Sequence, residues 1–205
     1  MPQTVEITLF TFDELSADAS TKAREWYRDS ALDDDWYQFV YQDFEQICDL
    51  VGVTLRTSTV RLMGGGTRQK PNIFFRGFYS QGDGACFEGT YRYRKGAVAQ
   101  VRAYAPHDTE LHNIASRLAE IQRRNFYQLS ATALHRGHYC HEYSMSIDVD
   151  RASPGSQEPS EDAEDAVKEG LRDLARWLYG RLEREYEHLN SDAVVGQFIT
   201  ANGYL

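Results

Sequence analysis

The chain has 205 residues, of which 31 are acidic and 22 are basic, giving a formal net charge of −9. Its length and its 41% hydrophobic content allow a substantial core, as one domain or a domain with an extension, and argue against wholesale disorder. The acidic balance argues against direct, non-specific coating of a nucleic-acid backbone, which needs clustered Lys and Arg, but it leaves room for a local basic groove. Because the chain shows neither an apolar run of about 20 residues nor a secretory leader, we expect no membrane partner and a cytoplasmic location.

Strands and helices are predicted in turn along the first half of the chain. Residues 5–10 alternate between apolar and polar side chains, which predicts a short half-buried strand. Ser16 is a suitable N-cap for a first helix, and apolar side chains at helical spacing predict a second helix that Gly52 ends. Apolar residues mixed with Thr and Ser then predict strands within 53–62. Residues 72–79 and 85–93 are predicted to be two strands of a hairpin, joined by a short loop with two glycines.

The second half is predicted to contain the longer helices. A short helix within 95–104 precedes a clearer one capped by Asp108, and residues 128–134 and 138–150 are predicted strands. Arg136-Gly137 between these strands is either a two-residue turn or a bulge in one long strand. Residues 152–159 are predicted to form a mobile linker before a C-terminal helical segment, 160–202. In this segment Ser160 caps a long helix, and Ser191-Asp192 starts a last short one. The whole chain, 1–205, is thus predicted to be a single α+β domain: an antiparallel or mixed central sheet with helices packed mainly on one face.

The loop between the strands at 72–79 and 85–93 is the first candidate site. Its sequence, Ser80-Gln81-Gly82-Asp83-Gly84, lets the backbone approach a ligand closely, and Asp83 is suited to hold a metal or act as a base. The loop lacks the Gly-Lys-Ser or Gly-Lys-Thr of a phosphate-binding loop and the repeated carboxylates of a calcium loop. The alternative is an ordinary hairpin turn in which Asp83 hydrogen-bonds to its own backbone.

A cluster of histidines, at positions 135, 138 and 141, is the second candidate site. Zinc and other transition metals favour imidazole, with Cys or carboxylate as partners. One unbroken strand would place His138 and His141 on opposite faces, so a metal site would need a bulge and outside ligands such as Asp83 or Glu88. The alternative is a group of polar and aromatic side chains on the solvent-facing side of a sheet.

The three cysteines, Cys48, Cys86 and Cys140, are widely spaced and contain no CxxC pair. The sequence therefore predicts neither a disulfide framework nor a zinc knuckle, and the expected state is three reduced, mostly buried thiols. A Cys nucleophile with a histidine base has the residue types it needs, but no local signature surrounds either Cys86 or Cys140.

Two acidic clusters, before the second helix and at the start of the long helix, form the third candidate site. The residues proposed to bind a partner are Asp33, Asp34, Asp35, Glu161, Asp162, Glu164 and Asp165. Carboxylates spaced along a helix can imitate the phosphate row of DNA and occupy a basic groove on another protein. The alternative is a solvated helix face whose acidic residues complement the helix dipole.

Several strings resemble a family of proteins encoded by bacteriophages and prophages. These strings are FDELS at 12–16, AREWY at 23–27, SQGDGACFEG at 80–89, QLSAT at 128–132 and HRGHY at 135–139. The resemblance covers nearly the whole chain. Members of that family are mostly labelled hypothetical, sometimes antitoxin, so the resemblance implies no catalytic residue. It does imply a phage accessory protein in the host cytosol.

Three functional hypotheses follow. The first is a non-enzymatic inhibitor, of anti-CRISPR or anti-restriction type, that acts on a host defence or nucleic-acid-handling complex. It would bind a host protein or ribonucleoprotein stoichiometrically through its acidic helices and would need no cofactor. The second is an enzyme that uses a divalent metal near Asp83, His135, His138 and His141 to act on nucleotides or nucleic acid. The third is an antitoxin. The loop site that belongs to the second hypothesis comprises Ser80, Gln81, Asp83, Glu88, His135, Arg136, His138 and His141. Trp and Tyr on amphipathic helices also leave room for a homodimer face.

Overall fold

The computed structural model describes residues 8–30, 35–153, 155 and 157–203. Within these residues the chain forms six α-helices and eight strands, which confirms the predicted α+β class with a long C-terminal helix. The helices are α1 Ala17–Ser30, α2 Gln38–Val51, α3 Ala97–Tyr104, α4 Thr109–Arg124, α5 Glu161–Leu189 and α6 Asp192–Ala201. The strands are β1 Val53–Leu55, β2 Thr57–Leu62, β3 Gly66–Pro71, β4 Ile73–Arg76, β5 Gly84–Phe87, β6 Gly89–Arg92, β7 Leu129–His135 and β8 Met145–Arg151. The chain divides into a smaller compact unit, residues 1–38 with 183–205, and a larger one, residues 39–182.

A four-stranded antiparallel sheet lies at the centre of the larger unit, in the order β1-β6-β7-β8. The register places Tyr91, Ala131 and Val149 side by side, and all three are buried. Burial alternates along β6, β7 and β8, as the period of two in a strand requires when one face of a sheet is packed. This alternation is what the sequence pattern predicts.

Two separate hairpins complete the strands of the larger unit. β2 pairs with β3, and β4 pairs with β5. The predicted strand over 85–93 is therefore two strands, because the chain leaves the β4 pairing at Glu88 and joins the central sheet at Gly89. A Cβ atom at Gly89 would lie 2.6 Å from the carbonyl oxygen of Thr54, so only glycine allows β1 to approach this closely.

Aromatic and leucine side chains form the core of the larger unit. The Phe44 ring stacks on the Trp177 ring at 6.4 Å and meets the Phe87 ring edge-on at 5.4 Å, all three being buried. The apolar stripe of α5 is buried here through Leu171, Leu174, Leu178 and Leu182.

Polar side chains cap four helices at the positions the sequence predicts. Ser16 Oγ, Ser160 Oγ and Ser191 Oγ accept hydrogen bonds from first-turn backbone amides at 3.3–3.4 Å. Asp108 accepts two hydrogen bonds. One carboxylate oxygen caps α4, and the other accepts the indole N–H of Trp177 at 2.8 Å. The caps explain why these four helix starts are readable from the sequence.

The smaller unit has its own core, in which Tyr27, Val195 and Ile199 pack with the half-buried Phe12. Arg28 of α1 pairs with Asp192 at the start of α6 at 2.5 Å. Residues 5–7 of the predicted first strand lie outside the described residues, and residues 8–10 form no strand.

The strand predicted over 138–150 is wrong in its first half. β7 ends at His135 and β8 begins at Met145, so residues 136–144, here named the histidine loop, replace the expected two-residue turn or bulge. The loop closes with a short 3₁₀ turn, Glu142–Ser144. No helix among the described residues is long and apolar enough to cross a membrane.

Candidate metal centre

The glycine loop, residues 77–83, joins β4 to β5, and its own aspartate holds its shape. One carboxylate oxygen of Asp83 accepts the backbone N–H groups of Tyr79 at 3.0 Å and Ser80 at 2.7 Å. The backbone of Asp83 donates in turn to the Ser80 carbonyl at 3.0 Å. Asp83 is thus engaged in the turn, as the hairpin alternative predicts, while Ser80 and Gln81 are exposed at the loop surface.

The glycine loop and the histidine loop pack against each other. The Cys140 amide donates to the Gly82 carbonyl at 3.2 Å, and a Cβ at Gly82 would lie 2.0 Å from the ring of Tyr139. A Cβ at Gly84 would likewise lie 2.5 Å from the Cys140 carbonyl oxygen. The glycines therefore make room for the histidine loop, and the two segments that the sequence singles out separately form one place in the fold.

This packing brings the side chains of Cys86, His135 and Cys140 together. Their potential ligand atoms all lie within 4.8 Å of one another; Cys86 is buried and the other two are half-buried. In a tetrahedral zinc site, with bonds of about 2.0–2.3 Å, ligand atoms are about 3.3–3.8 Å apart, so a small contraction would complete the set. Two thiols and an imidazole are donors that favour zinc and similar soft metals.

A hydrogen bond to a backbone carbonyl and a ring contact hold the imidazole of His135, and its backbone is held by Glu88. Its Nε2 lies 2.9 Å from the Tyr139 carbonyl oxygen, its ring packs against Phe74 with centroids 4.5 Å apart, and its amide donates to a carboxylate oxygen of Glu88 at 3.1 Å. A carbonyl partner of this kind sets the tautomer and orientation of metal-ligating histidines. With Nε2 donating to Tyr139, Nδ1 keeps the lone pair that a metal would use.

Burial governs the chemistry of the two thiols. It raises the pKa of Cys86 to about 12, partly offset by the Ser144 hydroxyl 3.6 Å from its sulfur, and it also raises the pKa of Cys140. Both groups are therefore thiols near neutral pH and weak nucleophiles. A bound metal would convert them to thiolates, whereas a Cys-based nucleophilic mechanism has no support from these surroundings. All three cysteines are free, and Cys48, which is buried in α2, is not a member of the cluster.

The other residues of the predicted loop site make different contacts. His138 Nε2 accepts from the Arg76 guanidinium at 2.9 Å, and His141 Nδ1 accepts from the Tyr143 amide at 3.1 Å. The Arg136 amide donates to the Ser144 carbonyl at 2.9 Å across the base of the histidine loop. The structure therefore brings His135 alone of the three histidines into the cluster.

The sequence predicts Glu88 as an outside metal ligand, but its carboxylate lies beside the residues that precede β2 and follow β3. The Asn72 side-chain amide donates to one of its oxygens at 2.6 Å, and the Arg56 guanidinium lies 3.9 Å from the same oxygen. The other oxygen accepts the His135 amide, so Glu88 positions that histidine. The partners that the sequence missed are Cys86 and Cys140. Cys86 is far in sequence from His135, so no spacing signal connects them, and the sequence predicts Cys140 only as a reduced, mostly buried thiol.

Two contacts with α5 fix the far end of the histidine loop. The Arg176 guanidinium lies 3.5 Å from the carboxylate of Glu142, and the Arg172 guanidinium lies over the Tyr143 ring at 5.2 Å. The loop is thus tied both to the glycine loop and to a long helix. This double attachment holds the histidine loop, and with it Cys140, in a defined position.

The acidic clusters lie in different parts of the fold. Asp33 and Asp34 fall outside the described residues, and Asp35 precedes α2 in the smaller unit. At the start of α5, in the larger unit, Glu161, Asp162 and Asp165 are exposed. The fourth member of this second cluster, Glu164, pairs with Lys168 along the helix.

A family model described as "Domain of unknown function (DUF8835)" matches residues 36–192. Since this is more than half of the chain, the chain belongs to that family. No curated protein and no solved structure matches. The matched residues include both loops and the Cys86, His135 and Cys140 cluster.

Proposed function

We propose that the protein binds Zn²⁺, or a metal of similar softness, through Cys86, His135 and Cys140. The single observation that carries this proposal is the convergence of two thiols and one imidazole within 4.8 Å at the junction of two loops. Three protein ligands leave the fourth tetrahedral position for water. His135 and Cys140 are half-buried, so the cluster is not sealed from solvent.

The coordination favours the second of the three functional hypotheses, a metal-dependent enzyme. Catalytic zinc sites keep three protein ligands and one water, whereas structural sites use four protein ligands. Zinc lowers the pKa of a bound water to about 7, which supplies a hydroxide nucleophile at neutral pH. The ligand set differs from the one that the sequence suggests, since Cys86 and Cys140 replace Asp83, His138 and His141.

Metal titration tests the proposal directly. Protein stripped with a chelator should bind one equivalent of Zn²⁺ per chain, and Co²⁺ in its place should show thiolate-to-metal charge-transfer absorption. Cys140→Ser and His135→Asn should each weaken binding by at least about tenfold, because each removes one of three ligands. Cys48→Ala is the matched control and should bind like the natural chain.

Two results would contradict the metal proposal. One is a natural chain that binds neither ion. The other is equal affinity in the Cys140→Ser and Cys48→Ala variants. Because Cys140 and His135 are half-buried, both substitutions should leave the fold intact, which circular dichroism checks. Hydrolysis of a nucleotide panel by the zinc-loaded natural chain, absent in His135→Asn, tests the enzymatic part.

The inhibitor hypothesis is a second candidate, favoured by the exposed carboxylates at the start of α5. Reversing Glu161, Asp162 and Asp165 to lysine should abolish any salt-sensitive association with a host nucleic-acid-handling complex. A control that reverses the exposed Glu25, Glu183 and Glu187 changes net charge equally. Inhibition that survives the first triple variant would refute mimicry of nucleic acid by this helix. The antitoxin hypothesis stays a prediction.

A further inference from the structure

The hairpin formed by β2 and β3, residues 57–71, is more exposed to solvent than the other strands. Every residue of β2 is exposed, and so is every residue of β3 up to Lys70. A strand hairpin exposed on both faces has no core of its own, and an isolated hairpin is only marginally stable in water. We call this ribbon the hairpin arm.

The charge of the arm is opposite to that of the whole chain. No acidic residue occurs between Asp49 and Asp83, although the chain carries a net charge of −9. The arm itself contains Arg61, Arg68 and Lys70, and none of these three makes an ion pair within the part of the chain that the structure describes. The basic groups of the arm are therefore available to an external anion.

The strand register sets where these groups point. Arg61 lies opposite Thr67, and on that face Thr59 Oγ1 accepts from the Gln69 amide at 2.9 Å. Because side chains alternate between faces, Arg68 and Lys70 lie on the other face of the ribbon. Positive charge thus occupies both faces, as is needed when a ribbon lies between two rows of phosphates.

The dimensions of the arm fit a nucleic-acid groove. Six residues per strand span about 20 Å, and the major groove of B-DNA, about 12 Å wide, admits a two-stranded ribbon. At the tip, Met63 is fully exposed beside three consecutive glycines, and Leu62 is half-exposed. An apolar tip with basic flanks matches side chains that meet bases while Arg and Lys meet phosphates.

We propose that the hairpin arm binds duplex nucleic acid in its groove, with Arg61, Arg68 and Lys70 contacting the phosphates. An acidic protein is the rival occupant, but the polar side chains of Thr59, Thr67 and Gln69 supply hydrogen-bond partners for base edges. The binding is local and does not depend on the metal centre, so it goes beyond the function proposed above.

Fluorescence anisotropy with a labelled mixed-sequence 20-base-pair DNA duplex tests the proposal. The logarithm of the affinity should fall with the logarithm of salt with a slope of about −3, which is the value for three phosphate contacts. At salt concentrations between 50 and 100 mM, the variant R61Q/R68Q/K70Q should bind the duplex at least about tenfold more weakly than the natural chain. Its affinity should also depend much less on salt. The matched control K22Q/R102Q/R184Q removes the same charge from other exposed positions and should bind like the natural chain.

Three outcomes would overturn the proposal: no binding by the natural chain, equal loss in the two triple variants, or competition by poly-glutamate as effective as competition by unlabelled duplex. The last would assign the arm to an acidic protein. A chelator-treated sample separates this proposal from the metal proposal, because the arm should bind DNA equally with and without Zn²⁺. The three substituted residues, Arg61, Arg68 and Lys70, are exposed, so their substitutions should leave the melting temperature of the larger unit unchanged.

Discussion

Replacing Gly82 with alanine tests whether the two loops form the candidate metal centre together. Gly82 has φ +86°, and its missing Cβ would lie 2.0 Å from Cδ1 of Tyr139. The left-handed backbone costs an L-residue about 1–2 kcal/mol. The overlap adds about 1–3 kcal/mol, typical of overpacking, because the Tyr139 ring or the backbone beside it must move. We therefore expect Gly82→Ala to lower the free energy of unfolding by about 2–5 kcal/mol.

Gly137→Ala is the matched control for this substitution. Gly137 lies in the histidine loop with φ +94°, and no atom lies within 4 Å of its missing Cβ. Its substitution should therefore cost only the backbone part, about 1–2 kcal/mol. Urea denaturation of the two variants measures the difference, which isolates the contact between the loops.

The metal affinity of the same two variants tests whether the packing of the loops controls the candidate metal centre. The Cys140 amide bonds to the Gly82 carbonyl, and the Tyr139 carbonyl bonds to the His135 imidazole, so displacing Tyr139 disturbs two ligands. Zn²⁺ affinity should fall in Gly82→Ala and stay unchanged in Gly137→Ala. Adding Tyr139→Ala should reduce the cost of Gly82→Ala toward the control value, as a double-mutant cycle reports. Equal destabilisation by the two alanines, or unchanged metal affinity in Gly82→Ala, would refute the reasoning.

Two further predictions concern a helix cap and the pH dependence of metal binding. Asp108→Ala removes the cap of α4 and leaves the buried indole N–H of Trp177 without a partner. Chemical denaturation should therefore show that the free energy of unfolding falls by about 2–4 kcal/mol. Ser191→Ala removes only a cap and should lower it by about 1 kcal/mol. Equal losses would show that the indole bond contributes nothing. Because burial raises the pKa of Cys86 to about 12 and raises that of Cys140, both sulfurs carry protons at neutral pH and a metal must displace two. Zn²⁺ affinity measured by chelator competition should therefore rise about a hundredfold per pH unit between pH 7 and 8.5, and a flat profile would exclude coordination by thiolates.

The parts of the fold that the sequence predicted are those governed by local chemistry. Ser16, Asp108, Ser160 and Ser191 cap the helices that follow them, since a side-chain oxygen and a first-turn amide are three residues apart. The Gly-Asp-Gly hairpin is local in the same sense, because the Asp83 carboxylate bonds to amides three and four residues away.

The parts that it did not predict depend on contacts between distant segments. Residues 138–144 alternate polar and aromatic side chains like a strand, but Tyr139 packs on Gly82 and the Arg172 guanidinium stacks on Tyr143, and these contacts shape a loop instead. The convergence of Cys86, His135 and Cys140 also depends on such contacts. Nothing in the sequence connects Cys86 with Cys140; only the close packing at glycine places them together.

The distribution of charge shows how local contacts change the meaning of a sequence count. The Arg side chains next to the central sheet are partly neutralised: Arg94 pairs with Asp49 at 2.6 Å, and Arg56 lies 3.9 Å from Glu88. The basic groups of the hairpin arm are different, since no carboxylate occurs on its strands and they make no ion pair with any residue that the structure describes. At 0.1 M salt, charges more than about 10 Å apart are largely screened, and the arm is about 20 Å long. A polyanion at the arm therefore experiences the local charge of Arg61, Arg68 and Lys70 rather than the net −9, so an acidic protein of this kind can still hold a nucleic acid at one exposed ribbon.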